Sequence, residues 1–333
     1  MPSETSPDTS LLVVIVVNFN GGAMLLNCLE SLRRQTWQHF VAVVVDNAST
    51  DDSADRAAER FPEFRVIRSS KNLGFAAGNN VVLRELGSAR WVALLNPDAI
   101  AREDWLERLI AAAEASPCYA MFGSRMVADV AGDVLDGVGD AYHVSGLPWR
   151  IGHGQRADGR YGSPKEIFAP CAAAALYRRE VIEATRGFDE DFFCYLEDVD
   201  LGFRARLTGY RALYVPDAVV IHEGSGIVGR HSDFQLYHGH RNLVWTFVRN
   251  MPGPLLAVYL PLHLLLTLAT LLVFTSRGRS GVIWRAKRDA VLGLPRAIAK
   301  RRTTQAGRVV SSTALRSVME RGVPHLGARR RAD

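Results

Sequence analysis

Between Gly187 and Arg204 six carboxylates, Asp189, Glu190, Asp191, Glu197, Asp198 and Asp200, are interleaved with Phe188, Phe192, Phe193, Tyr195 and Leu196. Carboxylates set in apolar sequence are costly to bury unless paired or used, so this density points to chemistry. The plainer alternative is a solvated acidic turn before a helix with an Asp200/Arg204 pair at i, i+4. Glu197-Asp198 would open that helix, which runs to Leu207 and stops at Gly209. There the helix dipole keeps a carboxylate charged. A carboxylate kept charged there can serve as a general base to a hydrogen-bonded group. Asp198 is the candidate for that role, and Glu197 would orient it or what it acts on.

A second candidate is Asp98, in Asn96-Pro97-Asp98-Ala99 directly after the apolar run Trp91–Leu95. Pro97 ends the strand and fixes the turn, which makes the Asp98 carboxylate project from a sheet edge. A plain turn is the alternative.

The elements that must position these groups follow from periodicity. Leu11–Val17 and Val41–Val45 are continuous β-branched or aliphatic runs, the mark of parallel strands buried on both faces. Each leads through a polar loop, Asn18–Gly22 or Asp46–Ser53, into a helical pattern; the first carries Leu25, Leu29 and Leu32 on one face. A third strand near Phe64–Arg68 leads to Lys71–Asn80 and another helix. Strand, loop and helix repeated in this way predict an α/β fold, a doubly wound and mostly parallel sheet with helices on both faces. In such sheets ligands collect at the carboxyl ends of the strands, where Asn18, Asp46, Asn47, Asn72 and Asp98 fall. Turn chemistry and helix capping account for several of them equally well.

The combination of these stretches resembles family 2 glycosyltransferases of the inverting, GT-A type, in their rhamnosyltransferase-like branch. The likeness lies in Phe19-Asn20, in Asp46-Asn47-Ala48-Ser49-Thr50-Asp51, in Asn72 to Asn80, and in Phe188-Asp189-Glu190 continued through Glu197-Asp198-Val199-Asp200-Leu201, and it covers about residues 11–250. It implies a hexosyltransferase in cell-envelope polysaccharide synthesis, with a dTDP- or UDP-linked sugar as donor, dTDP-L-rhamnose first among them, and a glycan or polyprenyl-linked hydroxyl as acceptor. By the resemblance Val16, Asn18 and Asp46 hold base and ribose, and Asn47, Asn72 and Gly74 line the same pocket. Asn96 stands where related enzymes have the first Asp of Asp-x-Asp. Asp98, joined by His222, would then ligate Mg²⁺ or Mn²⁺ on the donor diphosphate, and Arg241 of the Arg241-Asn242 pair would neutralise that diphosphate.

Charge is divided unevenly. Residues 276–333 carry fifteen Lys or Arg against three acids, a net of +12, which leaves −7 on residues 1–275 out of a total of +5. From Asn250 to Ser276 no residue is charged. An apolar run followed by a basic one favours an anionic membrane over nucleic acid. Pro252, Pro254 and Pro261 interrupt the run, and the part after Pro261 gives about 21 Å of helix, short of a bilayer core about 30 Å thick. The expectation is a hairpin or interfacial helix on the cytoplasmic face of the cell membrane, with Arg277, Arg279, Arg285, Lys287 and Arg288 on headgroups; a buried helix on the catalytic domain or a partner is the alternative. The polar N-terminus and four cysteines without metal-like spacing fit a reducing compartment. The expected organisation is a flexible tail over 1–10, a catalytic domain over 11–225 with its nucleotide half to about 100, and a helical membrane-associated extension over 226–333; a homodimer is left open.

Two other function classes compete. A nucleotidyltransferase would share the sheet but needs a Gly-rich loop with a basic residue after the first strand, and Asn18–Gly22 has none. A non-catalytic membrane-bound glycan-binding protein would not need Asp98, Glu197 and Asp198 together.

Overall fold

The computed structural model describes residues 12–222 and 232–322; the 1–10 tail and the 225/226 boundary lie outside them. The first strands follow the aliphatic runs: β1 (Leu12–Asn18), β2 (Phe40–Asp46), β3 (Arg65–Arg68) and β4 (Trp91–Leu95) alternate with helices α1 (Gly22–Arg33), α2 (Ser53–Arg60) and α3 (Gly74–Leu83). These four strands pair parallel in the order β3-β2-β1-β4, with Asn18 opposite Asp46 at the carboxyl ends. Their side chains divide by twos. Leu12, Val14 and Val16 enter one core with Leu25 and Leu29, while Ile15 and Val17 enter the opposite core with Ala76 and Val82. Burial on both faces is what an unbroken apolar strand encodes.

The second half departs from the parallel pattern. After β5 (Ala99–Ala101) and α4 (Trp105–Ala115), the chain forms β6 (Met121–Val127), β7 (Leu135–Gly137), β8 (Asp140–Tyr142), β9 (Pro148–Arg150), β10 (Lys165–Ile167) and β11 (Ala174–Arg178). Strand β11 lies antiparallel between β4 and β6; the chain continues through α5 (Arg179–Thr185) and α6 (Glu197–Leu207) to β12 (Ala212–His222), which is parallel to β6. The result is a mixed sheet, all parallel only in its first four strands. The small-residue stretch from Ala169 is strand only from Ala174; ahead of it Ala169 packs so closely on α6 that a side chain at Gly202 would overlap its Cβ.

Among the described residues five further helices follow: α7 (Asp233–Asn250), α8 (Gly253–Ser276), α9 (Ser280–Leu292), α10 (Leu294–Ala306) and α11 (Ser312–Ser317). Helices α7, α8 and α11 share a third core with the second half of the sheet-bearing region, in which Phe203 and Leu207 of α6 meet Phe247, Met251, Leu255 and Leu315. One expectation is corrected here. Helix α8 runs unbroken through Pro261, with Pro254 in its first turn, where proline's missing N–H costs nothing. A proline inside a helix removes one hydrogen bond but does not oblige the helix to end. The segment is thus 24 residues long, about 36 Å at 1.5 Å per residue.

Candidate active site

One wall of the site is a lattice of amides at the ends of β1 and β2. Asn18 is fully buried, and its Nδ2 reaches Asp46 Oδ1 (3.2 Å), Ser49 Oγ (3.1 Å) and Ser53 Oγ (3.0 Å). Its Oδ1 accepts from Gly21 N at 3.2 Å. Asn47 does the same one strand over: Nδ2 donates to Asn72 Oδ1 (3.0 Å) and Gly74 O (3.1 Å), and Oδ1 accepts from Leu73 N (2.8 Å). Gly74 has a φ of +79°, and a Cβ there would stand 2.5 Å from the Phe193 carbonyl oxygen. Glycine is therefore required both by backbone and by space.

At the end of β4 the sheet edge carries Asp98, as the turn chemistry requires. His222, the last residue of β12, places Nε2 3.4 Å from Asp98 Oδ1 and Nδ1 2.8 Å from Asp136 Oδ2. Arg150 Nη1 is 2.7 Å from the same Asp136 oxygen, and His153 Nδ1 is 3.4 Å from the other. Burial alone would push the Asp136 carboxyl up, yet hydrogen bonds from His153 and His222 and the Arg150 charge hold it well below the usual range. Burial likewise disfavours a charged His222, but the bonds to Asp136 and Asp98 outweigh it and raise its pKa to about 9. A divalent cation fits this corner. Asp98 and His222 adjoin each other, and Asn96 Oδ1 is buried with no hydrogen-bond partner among the described residues. Carboxylate and amide oxygens suit Mg²⁺ or Mn²⁺.

The opposite wall is the N-terminus of α6. Asp198 Oδ2 accepts from Ala172 N (3.1 Å) and Oδ1 from Val199 N (2.8 Å), so the carboxylate is fixed from both sides. Glu197 is buried with Oε2 unpartnered, and burial followed by the Asp198 charge pushes its pKa well above the ordinary value. Asp140 lies close by, with an oxygen within 4.8 Å of Asp198 and of Cys171. Burial and Asp198 raise its pKa to about 8. Asp200 has left the site: it bonds Arg204 Nε at 2.7 Å and Asn250 Nδ2 at 2.7 Å in full burial, as its i, i+4 spacing predicts.

The loop ahead of α6 is strained. Phe193, Tyr195 and Leu196 have φ of 63°, 68° and 65°, a region that costs non-glycine residues energy. Asn242 holds it from α7, donating from Nδ2 to the carbonyls of Phe192 (3.0 Å), Cys194 (2.9 Å) and Tyr195 (2.7 Å). Lys300 and Arg249 pair with Asp189, and Lys300 also with Asp191.

Asn47, Asn72, Gly74, Asn96, Asp98, Glu197, Asp198 and His222 all line one cleft of about 530 Å³. Val16, Asn18 and Asp46 do not line it; they stand behind its floor as the frame of the amide lattice. Arg241 is also elsewhere. Its Nη2 donates to the carbonyls of Asp191 (3.0 Å) and Phe192 (2.9 Å) and its guanidinium lies over Trp245, so it braces the acidic loop and its expected place at a diphosphate is not met. Asp136, Asp140, Arg150 and His153 line the cleft and were missed in sequence. The one local signal was Asp136-Gly137-Val138-Gly139-Asp140, two acids flanking glycines in an apolar stretch.

Residues 13–186 match the family model described as glycosyl transferase family 2. Among curated proteins, the chain is 28% identical over 257 residues to the N-acetylglucosaminyl-diphospho-decaprenol L-rhamnosyltransferase of Mycobacterium tuberculosis, covering 70% of this chain and 83% of that one. It is also 28% identical to an O-antigen biosynthesis protein of Myxococcus xanthus, over 64% of this chain but 17% of that longer one. Among solved structures, a Pyrobaculum calidifontis mannosyltransferase in complex with GDP-Man and Mn²⁺ superposes with a TM-score of 0.54 at 21% identity, covering 92% and 88% of the two chains. A UDP-, GalNAc- and Mn²⁺-bound GalNAc-T7 gives 0.55 at 14% identity, over 72% and 49%. At these identities the superpositions establish the GT-A fold.

Proposed function

We propose that this chain, which belongs to glycosyl transferase family 2, moves L-rhamnose from a dTDP-linked donor to a hydroxyl of a polyprenyl-linked glycan, as a step in building a cell-envelope polysaccharide. A nucleotide-sugar donor and inversion at the transferred carbon belong to the family; the sugar, the nucleotide and the acceptor are the finer reading. They are supported by the likeness to the mycobacterial rhamnosyltransferase. The observation that carries the chemistry is that Asp98 with His222 and Asp198 with Glu197 line the same cleft as the Asn47–Asn72 lattice.

In this reading Asn47, Asn72 and the exposed ring of Phe19 receive the nucleotide, and Asp98 and His222 hold Mg²⁺ or Mn²⁺. When bound, that cation neutralises the departing diphosphate. Asp136 accepts from His222 Nδ1 and so orients the ring, the arrangement usual behind a ligating histidine. Asp198 takes the proton of the acceptor hydroxyl as its oxygen attacks the anomeric carbon, on the side opposite the diphosphate. Because burial favours the neutral acid of Glu197, no second negative charge competes with Asp198 for that proton.

A donor screen with Mn²⁺ tests the reading. Among dTDP-L-rhamnose, UDP-galactofuranose, UDP-glucose and UDP-N-acetylglucosamine, dTDP-L-rhamnose is expected to have the highest kcat/KM. Asp198→Asn should keep dTDP affinity while turnover falls on the order of 10²-fold or more. A preferred UDP donor overturns the choice of sugar, and full turnover in Asp198→Asn overturns the base.

A further inference from the structure

Helix α8 is apolar on every side, yet only Leu255 and His263 of its 24 residues are buried. Leu264, Leu265, Leu268 and Leu272 are each more than half exposed. A helix apolar all round belongs in a core or in lipid, and an exposed patch of this kind marks an interaction surface.

Both ends of α8 are tied to the same body. In its first half Leu255 enters the core shared with α6, and the His263 ring stacks on Phe247 at 4.0 Å while its Nδ1 meets Ser145 O at 2.8 Å. In its last turn the Phe274 ring packs edge-on against His240 of α7 at 5.1 Å. The chain then returns at once. Arg279 pairs with Asp233 at the start of α7, and α9 binds α7 through Tyr237 to Asp289 (2.8 Å) and Trp245 to Ala290 O (2.9 Å). At about 36 Å the helix is long enough to cross a bilayer core of about 30 Å. A crossing would carry α9 to the far side, away from the α7 partners it holds here.

The exposed residues of α9 complete the surface. Trp284 is exposed beside two exposed cations, Arg285, whose guanidinium lies over Tyr237 of α7, and Arg288, which pairs with Asp289; Arg277 is exposed at the end of α8. An aromatic among cations bordering an apolar helix matches the headgroup layer of an anionic membrane. Lys287 does not belong to that set. It is buried and donates toward His240 O (3.3 Å), and burial lowers its pKa to about 8.

We infer that α8 and α9 form a monotopic docking surface: α8 lies in the outer part of one leaflet of an anionic bilayer without crossing it, while Arg277, Arg285 and Arg288 sit on its headgroups. Charge complementarity selects this occupant over a second copy of the chain, since that face is itself cationic and would repel its own image.

Flotation of the full-length protein tests it. The protein is expected to float with phosphatidylglycerol-rich vesicles, far less with pure phosphatidylcholine, and progressively less as salt rises. Leu264→Glu with Leu268→Glu should abolish flotation while donor hydrolysis and melting temperature in solution stay unchanged, and Arg285→Glu with Arg288→Glu should weaken it. Absence of flotation with anionic vesicles in a protein that hydrolyses donor overturns the surface and leaves the glycosyltransferase reading standing. A wild-type dimer that the double leucine variant converts to monomer, with no vesicle dependence, assigns the face to a second copy and overturns it too. For topology, the exposed Cys118 of the catalytic unit serves as the reference. In cells, an impermeant maleimide should label Cys118 and an introduced Ser280→Cys from the same side of the membrane, and labelling from opposite sides overturns the non-crossing geometry.

Discussion

The two walls of the cleft are made of different interactions. On the side of β1 and β2, neutral amides saturate one another and the backbone: Asn18 and Asn47 make seven side-chain hydrogen bonds of 2.8 to 3.2 Å, and apart from Asp46 their partners are uncharged. On the side of α6 and β12, full charges are paired: Asp136 meets the buried His222 and the partly exposed Arg150 at the cleft, and behind it Asp200 meets Arg204 in burial. Neutral lattices bind rigidly and are forgiving of a lost member. Buried charges are not, because the survivor of a broken pair keeps its desolvation cost and loses its compensation.

The sharpest break of this contrast is Arg204→Met. It removes the nearest ion-pair partner of Asp200, leaving it Arg249 at 3.6 Å and Asn250 at 2.7 Å, and frees the carbonyls of Thr185 and Gly187 that the guanidinium holds at 2.6 and 3.0 Å. Denaturant unfolding should show a loss of about 3–5 kcal/mol, and a cost under about 1 kcal/mol would mean that the charged wall is no more brittle than an exposed ion pair. Asn47→Ala on the other wall should cost about 1–3 kcal/mol and raise donor KM more than it lowers kcat, read by steady-state kinetics. If it destabilises as much as Arg204→Met, the contrast fails.

A third, smaller effect concerns pH. Asp140 has its folded pKa raised from the ordinary value to about 8, so between about 4 and 8 the folded chain holds a proton that the unfolded chain releases. Its contribution to stability is therefore complete below pH 4 and disappears as pH rises through about 8. Asp140→Asn should flatten the decline of melting temperature over that window, and a decline unchanged in the variant would assign it to other groups.

The same contrast explains what could be read from the sequence. The amide wall is local: Asn18, Asp46-Asn47 and Asn72-Leu73-Gly74 each sit at a strand end that an aliphatic run announces, so both the elements and the residues were legible. So were Glu197 and Asp198, because Gly209 and the apolar spacing between them define α6. The charged wall is assembled over distance. His222 finds Asp136 86 positions away, and Arg150 comes from a three-residue strand with no periodicity to reveal it. Arg241 misled for the complementary reason: a cation in a promising motif says nothing about whether backbone carbonyls will claim it first. In α8 the prolines suggested an interruption, but the uniform apolarity of the segment outweighed one missing hydrogen bond.

The Phe193 carbonyl accepts from Ala76 N at 3.2 Å and fills the space that a side chain at Gly74 would need. A single peptide group is thus common property of helix α3, which follows Asn72, and of the loop that leads to Asp198. Anyone recombining this enzyme with a relative, taking the nucleotide-binding part from one parent and the acceptor part from the other, would cut between two residues that were fitted to each other. Donor and acceptor preference will not assort as independent modules here; a working hybrid has to inherit the segments around 72–76 and 193–196 from the same parent.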